Sequence, residues 1–352
     1  MRICVPLNDG WIYPNPFVAL QIGGLKEISR DIEIETGVEK FWDSEYGYFD
    51  IVHIYWPQCL VYENYDCKTL NDLSVRLLEL KARGTKIIST CLNLVAHYSD
   101  NNKLNNSYEI VYSMSDMIIH LAEYSKKLLE NKYSNVIHVI LPHHVYDTKY
   151  KVIPSKEIAH KRLGLNADCI NILSFGSYRS DEERDLICQV ADAFKNEPVY
   201  FIVPSYRILP SKIGRTYIKT KISLLWVNLI HRNMHCEGKY IKDELATYYA
   251  ATDISFIQRI HILNSGNVPM GFLMGHVVIG TNEACVGEIL KNTGNPTFVV
   301  NDRDSVVSAI KEGIELYKEG KGDKNRDFSL REWSINRTSN LLYFYYRKIL
   351  DR

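Results

Sequence analysis

The stretch Asp253-Ile254-Ser255-Phe256-Ile257, followed by Leu263-Asn264-Ser265-Gly266 and then Val277-Val278-Ile279-Gly280, decides the fold. It reads as a buried strand, a turn of small residues, a hydrophobic helix stopped at Gly275, and a second strand, with Glu288 opening the next segment. A strand that runs through such a turn into a helix presents backbone N–H groups and the positive end of the helix dipole together. That arrangement suits an anionic group. Because the unit lies late in the chain, it points to a second nucleotide-type domain rather than an N-terminal dinucleotide fingerprint.

The same alternation fills the rest of the chain. Strand candidates in the first half are Arg2–Pro6, Asp50–Trp56, Lys86–Cys91, Met117–His120 and Val136–Leu141. Between them lie helical stretches such as Leu70–Arg83, where Leu73, Leu77, Leu78 and Leu80 recur near the helical period before Gly84. A polar segment, Tyr146 to Lys156, precedes a helix over Glu157–Leu163 and a stop at Gly164. Strands then resume at Ile170–Phe175, Val199–Val203, Asp253–Ile257, Val277–Gly280 and Thr297–Val300. Apolar strands alternating with helices indicate an α/β protein with doubly wound parallel sheets. The restart places the boundary near residues 147–168, giving an N-terminal Rossmann-like domain over 1–150 and a C-terminal one over 166–325. The aromatic tail, 329–352, is helical in pattern and is expected to dock back on the N-terminal domain.

Composition narrows the function. The chain has 352 residues, 46% of them hydrophobic, and its 42 Lys and Arg balance 42 Asp and Glu. No overall field favours nucleic acid, so no nucleic-acid partner is expected. Eight cysteines, among them Cys4, Cys67 and Cys285, show no C-x-x-C spacing. Buried free thiols in a reducing compartment account for them better than a disulfide or zinc framework. Met1 leads directly into a strand, and no run of about 18 apolar residues appears. The expectation is a cytoplasmic protein that does not span a membrane.

Several strings, taken in order, resemble a known family. They are Asn15-Pro16-Phe17, Asp50-Ile51-Val52-His53-Ile54-Tyr55-Trp56-Pro57, Leu141-Pro142-His143, Phe175-Gly176-Ser177-Tyr178-Arg179 and Leu263-Asn264-Ser265-Gly266. Together they resemble GT-B-type bacterial glycosyltransferases, in particular family 4-like enzymes of surface polysaccharide synthesis. The resemblance implies two Rossmann-like domains facing across a cleft, the nucleotide-sugar donor on the second and the acceptor on the first. It also implies transfer to a hydroxyl of a polysaccharide or lipid-linked oligosaccharide, with no cofactor beyond the donor sugar nucleotide and no metal. Two positions depart from the pattern. Glu182 stands where such enzymes carry a Lys three residues after the Arg. Leu92, in Thr90-Cys91-Leu92-Asn93, stands where they carry a His.

The candidate site residues follow from both readings. Asn264, Ser265 and Gly266 could cradle a phosphate, though Asn and Ser also cap helices routinely. Arg179, with Ser177 beside it, could hold a diphosphate and offset the charge of the leaving nucleotide, or it could pair with the acidic residues after it. Arg259, read as ending the strand before the turn, is a candidate to share that role. Glu288 could accept ribose hydroxyls, and it is equally suited to a helix N-terminus. The resemblance places Tyr240 and Ile241 near the base, and His97, Asn93 and His143 near the sugar or acceptor. His97 could serve as the base for the acceptor hydroxyl, although a lone His is more often structural.

Residues 206–232 mix Arg207, Lys212, Arg215, Lys219, Lys221 and Arg232 with Ile218, Ile222, Leu224, Leu225, Trp226 and Leu229. Such a segment suits peripheral contact with anionic lipid at the inner face of the plasma membrane, or an amphipathic helix with a solvated basic face. Two rivals to a transferase remain at this point. One is a nucleotide-sugar epimerase or hydrolase on the same fold, and the other is a degenerate sugar-nucleotide-binding scaffold.

Overall fold

The computed structural model describes residues 1–12, 16–43, 48–61, 69–96, 102–239, 241 and 244–352. Asn15, Cys67, His97 and Tyr240 lie outside the described residues. The chain divides into two compact units, Met1–Thr148 with Glu332–Arg352, and Lys149–Arg331. Each holds a six-stranded parallel sheet flanked by helices.

In unit 1 the strands are β1 (Arg2–Val5), β2 (Glu33–Thr36), β3 (Ile51–Ile54), β4 (Lys86–Cys91), β5 (Met117–His120) and β6 (Ile137–Ile140). Their order is β2-β1-β3-β4-β5-β6, and every pairing is parallel. The central strands β3 and β5 are buried throughout, as strands covered on both faces must be. The connecting helices are α1 (Asp9–Ile12), α2 (Pro16–Ile28), α3 (Val38–Trp42), α4 (Leu70–Ala82), α5 (Asn102–Met114) and α6 (Glu123–Glu130). α4 shows how local signals act. Thr69 and Asp72 form a reciprocal capping box at its start, and Gly84 turns the chain out at φ 86°. Leu73, Leu77 and Leu80 are buried, but Leu78, expected with them, is 60% exposed. It follows Leu77 by one residue and so points about 100° round the helix.

Unit 2 contains β7 (Ile170–Leu173), β8 (Val199–Ile202), β9 (Met234–His235), β10 (Ile254–Phe256), β11 (Val277–Thr281) and β12 (Thr297–Phe298). The order is β12-β11-β10-β7-β8-β9, again parallel throughout. Its helices are α7 (Lys156–Leu163), α8 (Asp181–Ala193), α9 (Arg215–Ile230), α10 (Leu245–Ala250), α11 (Asn267–Leu273), α12 (Ala284–Asn292), α13 (Arg303–Lys318) and α14 (Lys321–Glu332). From β7 the chain winds outward through β8 to β9, then returns to β7's other side with β10. That reversal is the topological switch point, where open α/β sheets bind ligands.

α11 lies close on the sheet because Gly271 has no side chain. A Cβ there would come 2.6 Å from Val278 Cγ2 and 3.1 Å from Ser255 Oγ. Gly271→Ala should therefore cost about 1–3 kcal/mol. Urea unfolding should show a lower midpoint with an unchanged slope; an unchanged midpoint would mean that α11 can lift freely.

After α14, Ser334 caps α15 (Ile335–Leu350), which returns to unit 1 and packs on α2.

Candidate functional site

The loops after β7 and β10 flank the switch point of unit 2. The first runs Ser174-Phe175-Gly176-Ser177-Tyr178-Arg179 into Ser180, the N-cap of α8. Three side chains from the segment after β10 hold it. Asn267 Nδ2 donates to the Phe175 carbonyl at 2.8 Å, Gln258 Nε2 to Gly176 at 3.3 Å, and Arg259 Nη2 to Ser177 at 3.1 Å. Successive carbonyls of an extended strand point to opposite sides, so three serving one neighbour require a backbone reversal. Gly176 supplies it with φ 112°. Gln258 is fully buried, and its Oε1 accepts from Ser174 Oγ at 3.2 Å. The Tyr178 hydroxyl, 2.6 Å from Ser174 Oγ, is thereby left as the donor in that pair.

Arg259 differs from its neighbours. Its Nη2 is docked, but its Nη1 is buried with no hydrogen-bond partner among the described residues. A buried N–H of a charged group left without an acceptor costs about 1–3 kcal/mol or more. An anionic oxygen arriving at the switch point would satisfy it with a charge-assisted bond.

The N-terminus of α8 offers the opposite environment. Ser180 Oγ accepts from the Glu183 N–H at 3.2 Å, and Glu183 Oε2 accepts from the Arg179 N–H at 2.7 Å. Asp181, Glu182 and Glu183 fill the first turn, and Arg184 holds the Asp181 carboxyl below its usual range. Three carboxylates there offset the positive end of the helix dipole, so the Glu182 departure places negative charge where a phosphate would need positive.

The residues singled out from sequence fall as follows. Ser177 and Arg259 meet directly. Arg259 does not end a strand: β10 stops at Phe256, three residues earlier, because the chain turns across the sheet edge to reach the β7 loop. Asn264, Ser265 and Gly266 form the half-buried turn before α11, where Ser265 Oγ accepts from the Asn267 N–H at 3.3 Å. Gly266 is the N-cap at φ −65°, a conformation that does not itself call for glycine. Arg179 is exposed on the α8 side. Glu288 does not open its helix. The turn after β11 is so short that α12 begins at Ala284, leaving Glu288 half-buried in the second turn, beyond the strand on β10's far side from β7. Tyr240 lies outside the described residues, and Ile241 is buried. Gln258 and Asn267 were not singled out, although polar residues just past a strand's carboxyl end are the available signal.

In unit 1, His143 follows β6. Its Nδ1 donates to the His144 carbonyl at 2.7 Å, which leaves the lone pair on Nε2. Burial lowers its pKa to about 3, so the ring is a neutral acceptor near pH 7. Phe17 packs on His143 with ring centroids 4.5 Å apart and meets Tyr55 edge-on at 6.1 Å. Residues from three of the resembling strings therefore come together. Asn93 is half-buried, with its carbonyl accepting from the Tyr112 hydroxyl at 2.7 Å, and Leu92 packs on the core. His97 lies outside the described residues. His53, inside another string, is structural: it is fully buried between Thr90 Oγ1 at 2.7 Å and the Tyr346 hydroxyl of α15 at 2.5 Å.

The sequence matches no family model and no curated protein. Solved structures match over nearly the whole chain. HepE of Anabaena, solved with UDP, has a TM-score of 0.69 at 12% identity, covering 99% of each chain. Sucrose-phosphate synthase from Thermosynechococcus elongatus has a TM-score of 0.68 at 12% identity, covering 99% of each chain. A Listeria monocytogenes protein assigned as a UDP-N-acetylglucosamine 2-epimerase has a TM-score of 0.57 at 10% identity, covering 97% of this chain and 94% of that one. With its two parallel sheets, the chain has the GT-B fold that its glycosyltransferase neighbours share.

Proposed function

We propose that this chain is a glycosyltransferase that takes a sugar from a nucleoside diphosphate donor, with UDP the favoured nucleotide. The acceptor is a hydroxyl on a saccharide, either a growing bacterial polysaccharide or a lipid-linked oligosaccharide. The observation that carries the reading is the Arg259 guanidinium, docked on Ser177 at the switch point with a buried N–H that no described residue accepts. In the reaction the bond from the anomeric carbon to the β-phosphate oxygen breaks, the acceptor oxygen bonds to that carbon, and the acceptor proton passes to a base or to the departing diphosphate. Arg259 would offset the charge gained by the leaving group, the role first read for Arg179, with Ser265 and Gly266 close by in sequence. The guanidinium supplies the cation in this reading, which invokes no metal ion. UDP in the solved HepE is consistent with the choice of nucleotide. A reducing cytoplasm suits both the donor and the free cysteines.

Titration calorimetry with UDP, GDP, CMP and ADP tests the reading. UDP should bind, and Arg259→Ala should weaken it roughly tenfold or more, as expected for a charge-assisted bond. Arg179→Ala should cost less than about threefold, the scale of an exposed pair. Without ligand, Arg259→Met should melt no lower than wild type, because one hydrogen bond is lost but an unsatisfied buried N–H is lost with it. If none of the four nucleotides binds, the reading fails. The epimerase-like neighbour supports a second reading on the same donor site. Incubation with UDP-sugar alone separates them, since epimerised or hydrolysed donor without acceptor would favour the second.

A further inference from the structure

α9 fully buries only Leu224, with Val227 packed beside it, yet it is apolar on its opposite face too. Ile218, Ile222, Leu225, Trp226, Leu229 and Ile230 recur at helical spacing along one stripe, and each is between 49% and 64% exposed. Ile213, just before the helix, is 83% exposed. Continuous apolar surface of this kind marks a contact with something else.

Charge decides what that something is. Residues 206–232 hold six of the 42 Lys and Arg and none of the 42 Asp and Glu, so the rest of the chain carries an excess of six acidic groups. No acidic residue occurs between Glu197 and Glu237. Lys212, Arg215, Lys219, Lys221 and Arg232 are all exposed, and none has a salt-bridge partner among the described residues. Two copies meeting through this face would press like-charged rims together, which disfavours self-association. A surface that accepts an apolar stripe and presents negative charge beside it complements the face on both counts.

We propose that α9 docks this protein on an anionic lipid surface, lying along the headgroup boundary with its apolar stripe inserted and its cations on the headgroup phosphates. The helix is too short and too charged to cross the bilayer, and no described helix is long and apolar enough to do so. Docking needs neither donor nor acceptor, so it stands or falls independently of the transferase reading.

Co-sedimentation of the whole chain with vesicles tests it. Mixed phosphatidylglycerol–phosphatidylcholine vesicles should bind the protein, phosphatidylcholine alone should bind it weakly, and added salt should release it. Leu225→Ser with Trp226→Ser should reduce partitioning roughly tenfold or more. Lys219→Glu with Lys221→Glu should do the same on anionic vesicles only, also by roughly tenfold. All four positions are exposed, so an unchanged melting curve confirms folding of each variant. Wild-type protein left in the supernatant, equal binding to both vesicle types, or variants that bind as well as wild type would overturn the proposal. So would light scattering that shows a dimer dissolved by the same substitutions.

Discussion

Acidification should unfold unit 1 well before unit 2. His53, His120 and His143 of unit 1 have pKa values lowered to about 3, first by desolvation on burial. His120 is further constrained by His138, whose Nδ1 lies 2.9 Å from its Nε2 and whose own Nε2 lies 3.1 Å from the Tyr133 carbonyl. Unfolded histidines titrate near 6.5, so between about pH 6.5 and 3 the unfolded chain binds protons that the folded unit refuses. Stability contributed by these groups is complete above about pH 6.5 and is lost as pH falls. Each sealed ring gives a slope of about 1.4 kcal/mol per pH unit. Half-buried His143 contributes least, so unit 1 should lose roughly 3–4 kcal/mol per pH unit, enough to exhaust an ordinary stability by about pH 4. Unit 2 holds one such ring, His276, lowered to about 4 by burial and set between Ser255 Oγ and the Tyr249 carbonyl. Trp11, Trp42, Trp56 and Trp333 belong to unit 1 and only Trp226 to unit 2, so tryptophan emission reports mainly on unit 1. Emission should change at higher pH than far-ultraviolet circular dichroism. Coincident transitions, or native emission retained at about pH 4, would contradict this account.

Removal of α15 should leave unit 2 folded and unit 1 unfolded. The helix buries Ile335, Leu342, Tyr346 and Ile349, each at most 2% exposed, and the Tyr345 hydroxyl donates to the Ile140 carbonyl at 2.8 Å. At about 1.5–3 kcal/mol per buried side chain, the apolar loss alone is roughly 6–12 kcal/mol, comparable to a whole domain's stability. His53 would also lose its Tyr346 partner inside the core. Limited proteolysis of a chain ending at Arg331 should therefore yield one resistant fragment, near residues 149–331; protection of residues 1–148 would refute the argument. A milder probe is Gly24→Leu in the full chain. At the α2–α15 crossing even a Cβ would come 2.2 Å from Ser339 Oγ and 2.8 Å from Ile335 Cγ2. Unit 1 should then melt at a lower temperature while unit 2 does not change.

The fold was legible wherever strands are buried on both faces. Continuous apolar runs identified β4 at Lys86–Cys91 and β5 at Met117–His120 with the bounds found in the structure. Two strands were not anticipated, β2 and β9, and both lie at sheet edges. Glu33-Ile34-Glu35-Thr36 holds a single apolar residue and so gives no apolar run, and Met234–His235 is too short to give a pattern. The candidate site was legible as a place, since Ser177 and Arg259 do meet at the switch point. Its internal order was not. That Arg259 rather than Arg179 is the sheltered guanidinium depends on which carbonyls the β7 loop turns toward β10, and Gly176 controls that through one backbone angle. Glu288 was misplaced because a short turn leaves no composition signal for where the helix begins.

The return of α15 also sets the order in which this protein can be made. Unit 2 is one uninterrupted stretch of chain, whereas unit 1 is closed by residues 332–352. On a ribosome the first 148 residues emerge early but lack the helix that covers α2 and satisfies His53. At ordinary elongation rates they wait roughly 10–40 s while the second unit is synthesised. The unit begun second is thus the first that can finish folding, and the unit begun first carries an open apolar face in the interval. Chaperone demand and expression losses should accordingly fall on the N-terminal unit.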